Sequence, residues 1–83
     1  MKKYVKFRLN DRKPLTNVYD VLSKEGNVPL GIIQWYAPWR QYCFYPEDET
    51  VFSIGCLQQI RLFIGKMMVQ QKEKLHGFKA VLK

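Results

Sequence analysis

The spacing of the apolar residues changes once along this chain, near residue 53. Before that point apolar and polar residues alternate in short runs, over 4–9, 17–23, 29–36 and 40–45, which is typical of half-buried strands. After it, an apolar stripe recurs at helical spacing, formed by Cys56, Leu57, Ile60, Phe63, Ile64, Met67 and Met68. The pattern predicts an α+β fold, with a three- to four-stranded antiparallel sheet and one long C-terminal helix packed on one face.

The length of 83 residues predicts a single domain over 1–83. Within it we expect a β-rich part over 1–46, a helix over 53–76 and a short tail over 77–83. Ser53 is a natural N-cap, because its hydroxyl can accept hydrogen bonds from the first-turn amides. Gly77 is a plausible stop, since glycine commonly follows the last turn of a helix.

The aromatic stretch 35–45 should form a hairpin around Pro38. If the loop has an even length, the residues sort onto two faces. We expect one face to lie beneath the helix, with Ile33, Trp35, Tyr42 and Phe44. The open face then carries Ile32, Gln34, Tyr36, Trp39, Gln41, Cys43 and Tyr45. A loop of odd length would exchange the two faces. Pro38 favours either a type I turn in which it takes the second position or a cis Ala37–Pro38 peptide bond.

The formal net charge of +7 is unevenly distributed. Asp11 is the only acid in the first thirteen residues, which hold the basic side chains of Lys2, Lys3, Lys6, Arg8, Arg12 and Lys13. Such a basic end favours polyanions, chiefly nucleic acid. The alternative is a solvated surface that keeps a small protein soluble.

The usual catalytic and metal-binding patterns are missing from this sequence, which predicts a non-enzymatic protein without metal or cofactor. Cys43 and Cys56 are too few for a disulfide framework and are expected to be buried free thiols, although a bridge stays open if strand and helix touch. The chain lacks an apolar run of membrane-spanning length and a signal-peptide pattern, so we expect a cytoplasmic protein with no membrane partner.

The middle of the chain resembles small uncharacterised bacterial proteins encoded on phages and mobile elements. The shared pattern is a WY-x-PWR-x-YCF run followed by a GCL-x-x-I helix start. Its residues here are Trp35, Tyr36, Pro38, Trp39, Arg40, Tyr42, Cys43, Phe44, Gly55, Cys56, Leu57 and Ile60. The resemblance implies a phage or bacterial context and carries no activity.

These observations lead to two hypotheses. In the first, a mobile-element accessory protein binds DNA or RNA through its basic first strand and aromatic hairpin, using Lys3, Lys6, Arg8, Arg12, Lys13, Tyr36, Trp39 and Arg40. In the second, the chain is a protein-interaction module without nucleic-acid binding. Leu62 and Val69, seven residues apart and opposite the core stripe, could then form the seam of a homodimer.

Overall fold

The fold is a four-stranded sheet followed by one helix. The computed structural model describes the backbone of residues 3–82 and the side chains of residues 3–73. Its elements in chain order are β1 (Val5–Arg12), β2 (Asn17–Ser23), β3 (Pro29–Tyr36), β4 (Gln41–Pro46) and α1 (Ile54–Leu82). The strands form an antiparallel sheet in the order β1-β2-β3-β4, and α1 packs on one face. The predicted α+β class is confirmed.

The core lies between α1 and one face of the sheet, which carries Val5 and Phe7 of β1, Tyr19 and Val21 of β2, Ile33 and Trp35 of β3, and Tyr42 and Phe44 of β4. Its buried members are Val5, Val21, Ile33, Tyr42, Ile60 and Met67. Phe7 of β1 stacks on Phe63 of α1, with ring centroids 4.0 Å apart. Apolar burial of this kind is what holds an amphipathic helix onto a sheet.

The start of α1 follows the prediction. The Ser53 hydroxyl accepts a hydrogen bond from the Cys56 backbone N–H at 3.2 Å, and the Ser53 carbonyl accepts one from the Leu57 N–H at 3.0 Å. The end of α1 differs from the prediction. The helix continues through Gly77 to Leu82, whereas the sequence predicted an end at 76 and a tail over 77–83. A single glycine costs a helix only about 1 kcal/mol, which neighbouring helix formers can outweigh.

The buried helical stripe differs from the prediction at Leu57 and extends to Gln71, for which no prediction was made. Leu57 is 50% exposed, whereas Gln71 is buried. The buried face is centred on Ile60 and Met67, and Gln71 lies one turn beyond Met67 on the same face. Leu57 lies near the edge of that face, which is why its apolar character alone did not ensure burial.

Strand β1 is longer than predicted. The sequence indicated a turn from Asn10, but β1 continues to Arg12, and its register with β2 shifts between Leu9 and Asp11. This is a β-bulge, in which an extra residue is accommodated without ending the ladder. The Asn10 amide donates a hydrogen bond to the Asp20 carboxylate at 2.8 Å, which ties the extra residue to β2.

The order of the strands gives the sheet two different ends. Because each strand is antiparallel to the next, the β1–β2 loop (13–16) and the β3–β4 loop (37–40) emerge together, at what we call the loop end. The β2–β3 turn (24–28) and the acidic residues 47–49 lie at the other end, where α1 begins. Strands β1 and β4 form opposite edges of the sheet.

Candidate nucleic-acid interface

The β3–β4 loop has an even length of four residues. Tyr36 pairs with Gln41, and the residues between them, 37–40, form a single 3-10 turn. Pro38 is at the second position of this turn, which closes with a 3.1 Å hydrogen bond from the Arg40 N–H to the Ala37 carbonyl. The alternative prediction, a cis Ala37–Pro38 bond, is not found, since no peptide bond in the described backbone is cis.

The even loop sorts the hairpin residues as predicted. Ile33 lies opposite Phe44, and Trp35 opposite Tyr42, on the face beneath α1. Ile33 is 0% exposed and Tyr42 is 4% exposed. The Tyr42 N–H, on the outer edge of β4, donates to Met68 Sδ of the helix at 3.3 Å. The prediction that this set forms the covered face is confirmed.

The open face carries an aromatic cluster, formed by Tyr36, Trp39 and Tyr45. The Tyr36 ring meets the Trp39 ring edge to face with centroids 5.0 Å apart, and meets the Tyr45 ring at 6.5 Å. Tyr36 and Tyr45 are half-buried, whereas Trp39 is 67% exposed. The cluster therefore holds its rings by mutual contact and leaves an indole surface for a ligand.

Arg40 follows Trp39 in an unusual backbone conformation. Its φ of 54° and ψ of 48° lie in the left-handed region, which is uncommon for residues other than glycine. The exposed Arg12 and Lys13 lie at the same end of the sheet, at the close of β1 and in the β1–β2 loop. The loop end thus combines exposed cations with the exposed indole of the aromatic cluster.

The other predicted contact residues lie elsewhere. Strand β1, with Lys6 and Arg8, is separated from the β3–β4 hairpin by β2, and Lys3 precedes β1 at the end where α1 begins. Lys3 and Lys6 border a depression of about 520 Å³ between β1 and α1, together with Lys66. The structure thus brings Arg12, Lys13, Tyr36, Trp39 and Arg40 to one end and places Lys3, Lys6 and Arg8 apart from them.

Arg8 also has an ionic partner. Its guanidinium lies 2.9 Å from the Asp20 carboxylate on the open face. The hydrogen bond from Asn10 and the one from Arg8 lower the pKa of Asp20 below its usual value. Asp20 is thereby kept ionised and offsets part of the charge of β1, which weakens the case for Arg8 as a phosphate contact.

The two cysteines are free and lie on different faces of the sheet. Cys43 is on the open face opposite Gln34, whereas Cys56 packs against the core from α1. Both are half-buried, and the bridge that the sequence left open is not formed. Within residues 3–73 no group of acids, cysteines and histidine has the arrangement of a metal site. The side chain of His76 lies outside the described residues.

Sequence reasoning missed Gln71 and Lys72, which join the loop end to α1, and it assigned Trp35 only to the covered face. Trp35, Arg40 and Gln71 border two adjoining depressions there, which also reach Lys13 and Lys72. The one available signal was the position of Gln71, four residues after the core residue Met67.

Over residues 3–82 no helix has both the length and the apolar content needed to cross a bilayer.

Comparison with known proteins shows that this chain is similar to a phage protein. It is 36% identical over 62 residues to the uncharacterised 9.3 kDa protein of Acholeplasma phage L2, a match that spans 72% of this chain and 80% of the relative. No protein-family model matches the sequence. No solved structure matches the fold. The predicted similarity to a small uncharacterised phage protein is confirmed, while the residue pattern and the origin of this chain stay predictions. The chain belongs to the same family as this phage L2 protein.

Proposed function

We propose that this chain is a non-enzymatic, cytoplasmic phage accessory protein that binds single-stranded nucleic acid at the loop end of its sheet. The observation that carries the proposal is the aromatic cluster, in which Trp39 is 67% exposed and is followed directly by Arg40. Aromatic rings flanked by cations bind single strands because every base has a stacking face and every linkage a phosphate.

The charges of the loop end supply the second part of the interface. Arg12, Lys13 and Arg40 are exposed there, and the acidic residues 47–49 lie at the opposite end of the sheet. A strand that crosses the loop end therefore meets cations beside the indole and stays away from the acidic segment. The net charge of +7 adds a long-range attraction that is independent of sequence.

Fluorescence titration tests this function. A single-stranded oligonucleotide of about 12 nucleotides should quench the Trp39 emission, and the affinity should fall as salt rises. Trp39→Ala should weaken binding about 5- to 150-fold, the loss expected for one stacked base. Absence of binding near physiological salt, or binding that ignores salt, overturns the proposal; tighter binding of the matching duplex overturns the single-strand assignment.

A matched pair of lysines controls for nonspecific charge. Lys13 and Lys24 are both exposed and lie in hairpin connections at opposite ends of the sheet. Lys13→Gln should reduce the slope of log affinity against log salt by about 0.7, the value for one phosphate contact on a single strand. Lys24→Gln should leave it unchanged. Equal effects of the two changes would show that only the total charge matters.

A homodimer is the second candidate, favoured by the outer surface of α1. Leu62 and Val69 are 49% and 57% exposed on the side away from the core. A Cβ at Gly65, between them, would meet nothing within 4 Å, so this side of α1 is open to a second helix. Sedimentation should then detect a dimer. Leu62→Glu should weaken this dimer, whereas the control Gln70→Glu, which makes the same change of charge, should leave it intact. A monomer at high concentration rejects this candidate.

A further inference from the structure

A groove at the loop end lies between the β3–β4 hairpin and α1. It consists of two adjoining depressions of about 520 and 380 Å³, which share Trp35, Arg40 and Gln71. We call this the loop-end groove. One wall is the β1–β2 loop, another is the β3–β4 hairpin and the third is the part of α1 near residue 71. Each depression has a volume within the usual range of small-ligand sites.

Three cations from three different elements border the loop-end groove. Lys13 comes from the β1–β2 loop, Arg40 from the β3–β4 loop and Lys72 from α1, and all are exposed. No acidic residue lines either depression among the side chains described. Cations that converge from separate elements onto one concave surface favour an anionic ligand, since each can approach the same charge from a different side.

Between the cations the groove is apolar and aromatic. Trp35 is half-buried, and its ring is fixed by an edge-to-face contact with Tyr42, with centroids 5.4 Å apart. Leu15 is 69% exposed at the opposite wall. A flat ring and an exposed aliphatic side chain facing one groove suit a planar, apolar group such as a nucleobase.

Gln71 supplies the polar group inside the groove. It is only 6% exposed, yet it lines both depressions. Among residues 3–73 the Gln71 amide has no hydrogen-bond partner. Its nitrogen and oxygen are nevertheless still reached by solvent, because every fully buried side-chain nitrogen or oxygen in this part of the chain has a partner. Its amide therefore keeps both a donor and an acceptor for a group that enters, and amides of this kind pair with the edges of bases.

We propose that the loop-end groove binds one nucleotide of the strand. The base lies against Trp35 and Leu15 with its edge on Gln71, and the phosphate lies among Lys13, Arg40 and Lys72. This deepens the proposed function by adding a nucleotide site on the helix side of the hairpin. Arg40 borders the groove and directly follows Trp39 in the chain, so the strand can pass from the aromatic cluster into the groove around the β3–β4 loop.

The two tryptophans of the chain allow the groove to be tested separately from the aromatic cluster. In Trp39→Phe, Trp35 is the single fluorescent indole and reports on the groove; in Trp35→Phe, Trp39 reports on the cluster. Titration of Trp39→Phe with deoxyadenosine monophosphate should change the Trp35 emission and saturate. Deoxyadenosine and inorganic phosphate should each bind at least about 10-fold more weakly, since each lacks one of the two recognised groups.

Two variants on α1 provide the matched comparison. In the Trp39→Phe background, Lys72→Gln should weaken the nucleotide about 10-fold, the effect of losing one charge-assisted contact. Lys66→Gln, the same change on the same helix but bordering a different depression, should have no effect. Both lysines are exposed, so thermal unfolding should show that both variants fold like the parent.

The outcomes separate this inference from the proposed function. If the oligonucleotide quenches Trp39 in Trp35→Phe but the mononucleotide leaves Trp35 unchanged, the groove assignment is wrong and strand binding stands. If the mononucleotide binds the groove and the oligonucleotide does not bind, strand binding is wrong. Equal binding of inorganic phosphate, or equal loss in Lys72→Gln and Lys66→Gln, would reject a nucleotide site in this groove.

Discussion

The two faces of the β3–β4 hairpin are built from the same kind of sequence but have different surroundings. On the face beneath α1, Ile33 and Tyr42 are almost entirely buried; on the open face, Tyr36 and Tyr45 are half-buried and rest on each other. Adjacent residues therefore belong to different environments. A run of aromatic residues in a small protein need not be either core or binding surface, since alternation along a strand allows both.

The faces also differ in what an aromatic ring contacts. Trp35 meets Tyr42 and packs against the core, whereas Trp39, four residues later, touches Tyr36 and is mostly exposed. Stability should depend mainly on the first face, and stacking of the strand on Trp39 should depend on the second. Substitutions in matched pairs across the hairpin can test this separation.

The largest expected effect is on the covered face. Ile33→Ala removes a side chain that is 0% exposed and should lower the free energy of unfolding by about 2–5 kcal/mol. Ile32→Ala, one residue away on the open face, should cost clearly less because its side chain is only half-buried. Urea unfolding of both variants measures the difference. Equal losses would contradict the assignment of the faces.

Gly31→Ala should be the next most disruptive change. Gly31 has a φ of +154°, and a Cβ there would overlap the Tyr45 carbonyl oxygen and lie 2.7 Å from the Phe44 ring and 2.9 Å from Pro46 Cα. Because two of these neighbours belong to the backbone, β4 would have to move, at a cost of about 1–3 kcal/mol. Gly65→Ala on the outside of α1, where a Cβ meets nothing within 4 Å, is the control and should stabilise.

Alkaline pH should weaken the covered face through Tyr42. Burial raises the pKa of this phenol, although the Asn17 N–H that donates to its oxygen partly opposes the shift. Since the folded pKa lies above the unfolded value of about 10, the contribution of Tyr42 is fully present below that pH and is lost as the pH rises above it.

Tyr42→Phe isolates this contribution. At neutral pH it should cost about 1 kcal/mol, because the Asn17 N–H loses its acceptor. From pH 8 to pH 11 the parent protein should lose more stability than Tyr42→Phe, as followed by urea unfolding at each pH. A parallel decline of the two proteins would show that Tyr42 does not carry the alkaline transition.

The smallest effect on stability is expected for a substitution on the open face. Trp39→Ala should change the free energy of unfolding by no more than about 0.5 kcal/mol, since the indole is 67% exposed and lies in the loop outside the core. A loss of oligonucleotide binding without a loss of stability would sharpen the contrast between the faces. A loss of more than about 1 kcal/mol would mean that the aromatic cluster is structural.

Local patterns in the sequence predicted much of this fold. Alternation located all four strands, the shift to helical spacing located α1, and the Ser53 hydroxyl placed its start. The two faces of β3 and β4 were assigned correctly on the condition of an even hairpin loop, which the pairing of Tyr36 with Gln41 confirms. Each of these signals depends on neighbours within about a turn of helix or a few strand residues, which is the range over which side-chain periodicity and capping act.

The candidate site needed information from distant parts of the chain. No local pattern predicted that Lys13, Arg40 and Lys72 would meet at one groove, because that depends on the strand order and on where α1 crosses the sheet. It also could not foresee the bulge at Asn10 or the exposure of Leu57.

What the sequence determined by itself is the set of elements and, away from the bulges, the side to which their residues point. Only the tertiary structure decided which sides are covered and which loops meet, since burial is a property of the whole packing arrangement and no single residue type encodes it. Gln71 illustrates this: it is a polar residue on the buried face of α1, and only the packing of the helix against the β3–β4 hairpin places its amide in a groove.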